Sequence, residues 1–218
     1  MMRPLTKRRP KGMRKSLFSA TLTRMSRYRT RSWRAFDPAA ARPLATALRV
    51  RILGLDPGSR RTGFGVIECH GSELHPVAHG CLNVAAAAPT ARLRLIFEGL
   101  RALLSEHGPS EVAVERVFVS RNVDSALKLG QARGAALCAI PAEVPVFEYA
   151  PRAIKLAIVG SGGAEKFQVA QMIRTLLSLT DRPGADAADA LAVAVCHAHQ
   201  RQLHARIHCG SGPHWSRA

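Results

Sequence analysis

The chain has no run of 18 apolar residues, which removes the simplest way of spanning a membrane as a helix, and a soluble protein with no membrane partner is expected. Its five cysteines, Cys69, Cys81, Cys138, Cys196 and Cys209, are odd in number and form no C-x-x-C pair. Free thiols in a reducing cytoplasm fit that pattern better than a disulfide framework. No internal repeat is present. Acid is scarce: 15 Asp and Glu stand against 32 Lys and Arg, a formal net charge of +17. Such an excess points to a polyanionic partner. The charge is uneven, because residues 1–48 hold 13 Lys and Arg against the single acid Asp37, whereas residues 49–218 hold 19 against 14.

What is present is enough for one domain and an appendage: 218 residues with 47% hydrophobic content. Residues 1–48 are rich in Arg, Ser and Thr and carry no apolar period, so a disordered basic extension is expected there. A basic nucleic-acid-binding arm, an organellar transit peptide and an over-extended gene start all have this composition.

The patterned part opens with Arg51-Ile-Leu-Gly-Leu-Asp56-Pro-Gly-Ser59. An apolar run suited to a strand buried on both faces ends in a carboxylate, and Pro57-Gly58 turns the chain directly after it. Alternation puts Ile52, Gly54 and Asp56 on one face, where Gly54 leaves room for something to approach beside the acid. Strands are expected over 50–56, 63–70 and 73–84, joined by short turns as an antiparallel meander. A helix with Thr90 as its cap should then run to 107 and stop at Gly108-Pro109. The strand 111–115 places Ala113 and Glu115 opposite Val112 and Val114, so a second carboxylate stands at a strand end. Helix 122–140, strand 144–148 and helices over 151–159, 164–179 and 185–199 complete an α/β domain, residues 49–199, with a mixed sheet covered on both faces. Residues 200–218 are expected as a flexible tail.

Two further acids, Asp186 and Asp189, lie three residues apart at a helix start within Gly184-Ala-Asp-Ala-Ala-Asp-Ala-Leu191. A capping Asp plus a solvated one would explain the spacing, but the Ala-rich frame suggests a surface that must approach something closely. Asp56, Glu115, Asp186 and Asp189 together are four hard-oxygen donors that repel unless cations neutralise them. They suit Mg2+ or Mn2+, and a pair of ions about 3.5 to 4 Å apart could serve phosphodiester hydrolysis.

Six segments in one order resemble the RuvC family of Holliday-junction resolvases: Leu53-Gly-Leu-Asp-Pro-Gly-Ser59, Val114-Glu-Arg-Val-Phe118, the Asn122 to Gly134 stretch, Pro145-Val-Phe-Glu-Tyr149, Ala164-Glu-Lys166 and Ala185-Asp-Ala-Ala-Asp-Ala-Leu191. The resemblance covers about residues 50–199. It implies a ribonuclease-H-like five-stranded sheet, a two-fold homodimer, and paired Mg2+-dependent cuts in like-polarity strands of four-way junction DNA during recombination and repair in the bacterial cytoplasm. It also implies two metal ions per subunit, with Mn2+ as a substitute, and a branch-migration helicase complex as partner. The four acids match the family's metal-binding, catalytic set. Phe118 matches an aromatic that inserts or stacks at the opened junction, though spacing alone suits a core Phe equally. Lys155 and Lys166 match basic residues near the scissile phosphate, and Arg116, Arg121, Asn122 and Arg152 are candidates for backbone phosphate contact.

Since the resemblance starts at Val50, and a valine codon can initiate translation in bacteria, an over-extended gene start is the favoured reading of residues 1–48. At the other end Cys196, His197, His199, His204, His208, Cys209 and His214 offer zinc-type donors but lack the usual paired spacing. Rival functions remain: a junction binder without catalysis, an actin-like ATPase or sugar kinase, and a transposase or RNA-cutting nuclease on the same fold.

Overall fold

Five strands make one mixed sheet in the computed structural model, which describes residues 49–116 and 122–210. They are β1 (Val50–Pro57), β2 (Arg61–His70), β3 (Glu73–Asn83), β4 (Glu111–Glu115) and β5 (Val146–Tyr149), in the order β3-β2-β1-β4-β5. The first three form the antiparallel meander, and β1, β4 and β5 run parallel. Among the described residues five helices cover it: α1 (Pro89–His107), α2 (Val123–Cys138), α3 (Pro151–Val159), α4 (Lys166–Leu176) and α5 (Ala185–Gly210).

Strand alternation divides the core in two. Leu53, Leu55, Val66, Val112 and Val114 pack with Ile96, Leu100 and Leu104 of α1 and Ala132 and Ala136 of α2. Ile52, Ile67 and Ala113 point the other way and pack with α3, α4 and α5 through Ile154, Ile158, Val169, Ile173 and Leu191. At roughly 25 cal/mol per Å² of apolar surface, each such fully buried Val, Leu or Ile contributes about 1.5 to 3 kcal/mol.

Two expectations need correction. Thr90 does not cap α1; Ala88 holds the cap position without a side-chain bond, and Pro89 opens the helix. Proline suits that place because its φ is already helical and its missing N–H would have no partner. At the far end Gly108, at φ 53, closes the helix as expected, its N–H donating to the Leu104 carbonyl. The second correction concerns the tail, because α5 continues well past residue 199 to Gly210. No Gly or Pro interrupts that stretch before Gly210, and two long-range bonds anchor it: Arg201 Nε to Glu111 Oε1 at 3.0 Å and Gln202 Nε2 to the Gly71 carbonyl at 3.1 Å. Residues 1–48 and 211–218, with the expectations made for them, lie outside the described residues.

Candidate active site

The parallel pairing of β1 and β4 is what first unites two of the acids. The last partners in register are Leu55 and Val114, and the next residue on each strand is Asp56 and Glu115. Val112 and Val114 are buried against α1 and α2, so alternation turns Ala113 and Glu115 to the opposite face, the one crossed by α5.

The other two acids arrive because α5 lies directly on the backbone of β1 and β2. A Cβ added at Gly54 would stand 2.1 Å from the Ala190 carbonyl oxygen, and one at Gly63 would stand 2.0 Å from the Asp186 carbonyl oxygen. No side chain fits at either position. Gly63 is the β2 partner of Asp56, so the glycine that admits the helix also brings Asp186 beside that carboxylate. The surface that the Ala-rich frame approaches closely is therefore the sheet: Ala187, Ala190 and Ala194 are buried.

The acids share one electrostatic field. Burial raises the Asp56 carboxyl to about 6, reinforced by Asp189 and Asp186 and opposed by Lys166. Burial likewise raises Glu115 to about 7, with Asp56 and Asp189 adding to it and Lys166 and Lys155 opposing. Lys166 Nζ donates to Asp189 Oδ2 at 2.8 Å, and Arg61 Nη1 stands 3.7 Å from Asp186 Oδ2. Cys81 Sγ donates to the same Asp186 oxygen at 3.5 Å. Among the described residues no three His, Cys, Asp or Glu are already close enough to enclose one ion. The acids form a neighbourhood of excess negative charge, partly neutralised by lysine and arginine. The donor chemistry, carboxylate oxygen throughout, fits a hard divalent cation.

A sequence model described as crossover junction endodeoxyribonuclease RuvC matches residues 52–197. The chain belongs to the RuvC family. A RuvC from Alkalilimnicola ehrlichii is 54% identical over 158 residues, which is 72% of this chain and 96% of that protein. One from Halorhodospira halophila is 57% identical over 153 residues, 69% of this chain and 91% of that protein. Among solved structures, Thermus thermophilus RuvC in complex with Holliday junction substrate superimposes with a TM-score of 0.67 at 34% identity, covering 71% of this chain and 96% of that one. The ribonuclease-H-like fold expected from the resemblance is thus the fold observed.

Most of the other positions singled out by the RuvC resemblance lie among the described residues. Lys155 on α3 is half-buried and its charge reaches Glu115. Arg152 is exposed and lies over Gly162, where an added Cβ would be 2.5 Å from Arg152 Cγ. Arg116 follows Glu115 and its Nε is 3.8 Å from a Glu148 carboxylate oxygen. Asn122 caps α2, its side-chain oxygen accepting from the Ser125 amide at 3.1 Å. Phe118 and Arg121 lie outside the described residues. After the turn that follows Asp56, Gly58, Ser59, Arg60, Arg61, Ala85, Ser125 and Leu129 line an open depression of about 660 Å³.

Sequence reasoning missed Arg61 and Cys81. The hairpin register was the available signal, since Pro57 pairs with Thr62 and the residues after the turn return beside the acid. Of the zinc-type donors of α5, Cys196 is buried, His197 joins Tyr149 Oη at 2.7 Å and Glu111 Oε2 at 2.8 Å, and His199 Nδ1 lies 3.2 Å from the Ala157 carbonyl oxygen.

Proposed function

We propose that the chain is a structure-specific endonuclease that resolves four-way DNA junctions by divalent-metal-dependent phosphodiester hydrolysis in strands of like polarity. The observation that carries this reading is the convergence of Asp56, Glu115, Asp186 and Asp189 from two strand ends and one helix, with Asp56 and Glu115 driven well above ordinary carboxylate values. Family membership and the named junction complex of a 34% identical relative support the substrate class.

Asp56, Glu115, Asp186 and Asp189 would hold the cations, two Mg2+ per subunit with Mn2+ as a substitute. Bound there, a divalent ion supplies charge neutralisation and Lewis acidity for hydrolysis. The rest falls to the chain. Lys166, released from Asp189, and Lys155 offset negative charge developing on the phosphate. Arg60, Arg61 and Ser59 offer the backbone a basic groove, and Arg116, Arg121, Asn122, Arg152 and Phe118 are the further DNA contacts, Phe118 at the opened junction centre. The buried Leu and Val side chains of β1 and β4 hold both strand-borne carboxylates on a rigid support.

Symmetric incision calls for a homodimer. Val123 and Leu127, 70% and 63% exposed on α2, together with the open space around Gly130 and Gly134, suit close contact with a second copy. A branch-migration helicase complex is the proposed partner and recombinational repair in the bacterial cytoplasm the proposed setting. Among the described residues no helix is long and apolar enough to cross a membrane.

The test is cleavage of four-way junctions, linear duplex and RNA:DNA hybrid, with and without Mg2+ and across a salt series. Junction-selective, metal-dependent cutting is expected, with binding that falls steeply as salt rises. Asp56→Asn should bind junctions and not cut them; wild-type cutting by that variant, or equal cutting of all three substrates, refutes the assignment.

A further inference from the structure

Arg133 sits on α2 with a side chain only 14% exposed, and nothing in the mechanism above uses it. Its guanidinium reaches the end of the sheet with both arms. Nη1 donates to the main-chain carbonyl of Glu115 at 2.6 Å, and Nη2 donates to the carboxylate of Glu148 on β5. The other Glu148 oxygen lies 3.8 Å from Arg116 Nε, while the Arg116 amide donates to the Tyr149 carbonyl at 2.7 Å. Glu115 is the last residue of β4, and the bond from the Arg116 amide holds the peptide that follows it from the β5 side. Arg133 holds the carbonyl of that same planar peptide from the α2 side, so the backbone from which the Glu115 side chain departs is restrained from two directions. A planar, bidentate cation suits that task because it presents two donors in one rigid fork. Stability alone is a poor reason for the arrangement, since the Glu148 side chain is 31% exposed and solvent screens such an ion pair.

We infer that Arg133 is a positioning residue for Glu115: from α2 it sets the angle at which that carboxylate enters the acid cluster. The inference rests on the proposed role of Glu115 in holding metal. Cutting then depends on where α2 sits, and α2 is also the helix that turns Val123 and Leu127 outward.

The experiment uses the full chain and two variants, Arg133→Gln and Arg133→Lys. Four quantities are read: thermal midpoint, junction affinity without divalent metal, single-turnover cleavage at saturating junction, and Mn2+ binding to the DNA-free protein by electron paramagnetic resonance. Arg133→Gln should bind junctions as the wild type does, cut about 100-fold more slowly, as a misplacement near 1 Å would cause, and bind Mn2+ more weakly. Arg133→Lys keeps a positive charge for Glu148 but has no second arm for the Glu115 carbonyl. It should therefore melt close to the wild type and still cut slowly, a split that a merely structural residue would not give. Wild-type cutting by folded Arg133→Gln overturns the inference, as does wild-type cutting by Arg133→Lys should the glutamine variant fail to fold. If the wild type itself cuts no junction, the proposed function fails instead, and unchanged Mn2+ binding in the variants then overturns the role of Arg133 separately.

Discussion

Replacing Asp56 by Asn should make the metal-free protein more stable at neutral pH while abolishing its proposed activity. The Asp56 carboxyl has an ordinary value of 3.8 and is raised to about 6 in the folded chain, first by burial and then by Asp189. Because the folded value lies above the unfolded one, the native state holds a proton that the unfolded chain has already lost between about pH 4 and pH 6. Stability is therefore lost as pH climbs through that window, and the full penalty is present above it. At 1.36 kcal/mol per pH unit the penalty is about 3 kcal/mol, and Asn, of nearly the same shape, removes it. Urea titrations in EDTA at 25 °C measure the difference. At pH 7.5 the variant should gain up to about 3 kcal/mol, and at pH 4 almost nothing. Adding Mg2+ should stabilise the wild type and narrow the gap, since the cation binds the folded acids and relieves the same repulsion. Equal stability of the two proteins at pH 7.5, or an undiminished gain at pH 4, would show that burial and the neighbouring acids do not raise the Asp56 carboxyl.

Two further perturbations act on the same neighbourhood. Gly63→Ala forces a Cβ to 2.0 Å from the Asp186 carbonyl oxygen, so α5 must move; a loss of about 1 to 3 kcal/mol or more by denaturant titration is expected, with cutting impaired more than metal-free junction binding. Lys166→Ala removes the partner of Asp189 and the charge that opposes the rise at Asp56 and Glu115. Because that lysine is largely exposed, the stability loss at pH 7.5 should stay below about 1 kcal/mol and shrink at acid pH as Asp56 and Glu115 take up protons, while single-turnover cleavage falls.

The parts of the fold that the sequence announced are those coded locally. The apolar run before Asp56, the alternation in Glu111–Glu115 and the paired Asp186 and Asp189 each state a strand end or a helix face within a few residues. What was not legible depends on partners far away in the chain. Gly63 reads as an ordinary strand glycine until the hairpin register sets it beside Asp56 and the helix is laid over it. The Lys166 bond to Asp189, and the contacts of Arg61 and Cys81 with Asp186, likewise join segments that no periodicity connects. The extension of α5 was missed because its anchor, Glu111, stands 90 residues before Arg201. The ribonuclease-H-like topology came from several motifs occurring in one order, whereas composition and periodicity led only as far as a mixed sheet between helices.

That distant anchor explains how the helix-borne acids keep their register with the strand-borne ones. Glu111 begins β4 and Glu115 ends it, roughly 13 Å apart at the usual strand rise. His197 lies two turns beyond Asp189 on α5, roughly 12 Å along the helix axis. Since His197 bonds Glu111 while Asp189 acts on Glu115, helix and strand run antiparallel with nearly matched lengths. The lock is specific. Burial pushes the Glu111 carboxyl up, but hydrogen bonds and charge from His197 and Arg201 outweigh it and hold it below its ordinary value. Sliding α5 by one residue would move its acids by about 1.5 Å and turn them by about 100°, swinging both away from Asp56. The same slide would leave Glu111, only 4% exposed, without its partners, and an unpaired buried charge costs about 3 to 5 kcal/mol. An expensive polar network in the core thus makes physical sense as a register stop, one that keeps four mutually repelling carboxylates within reach of one another.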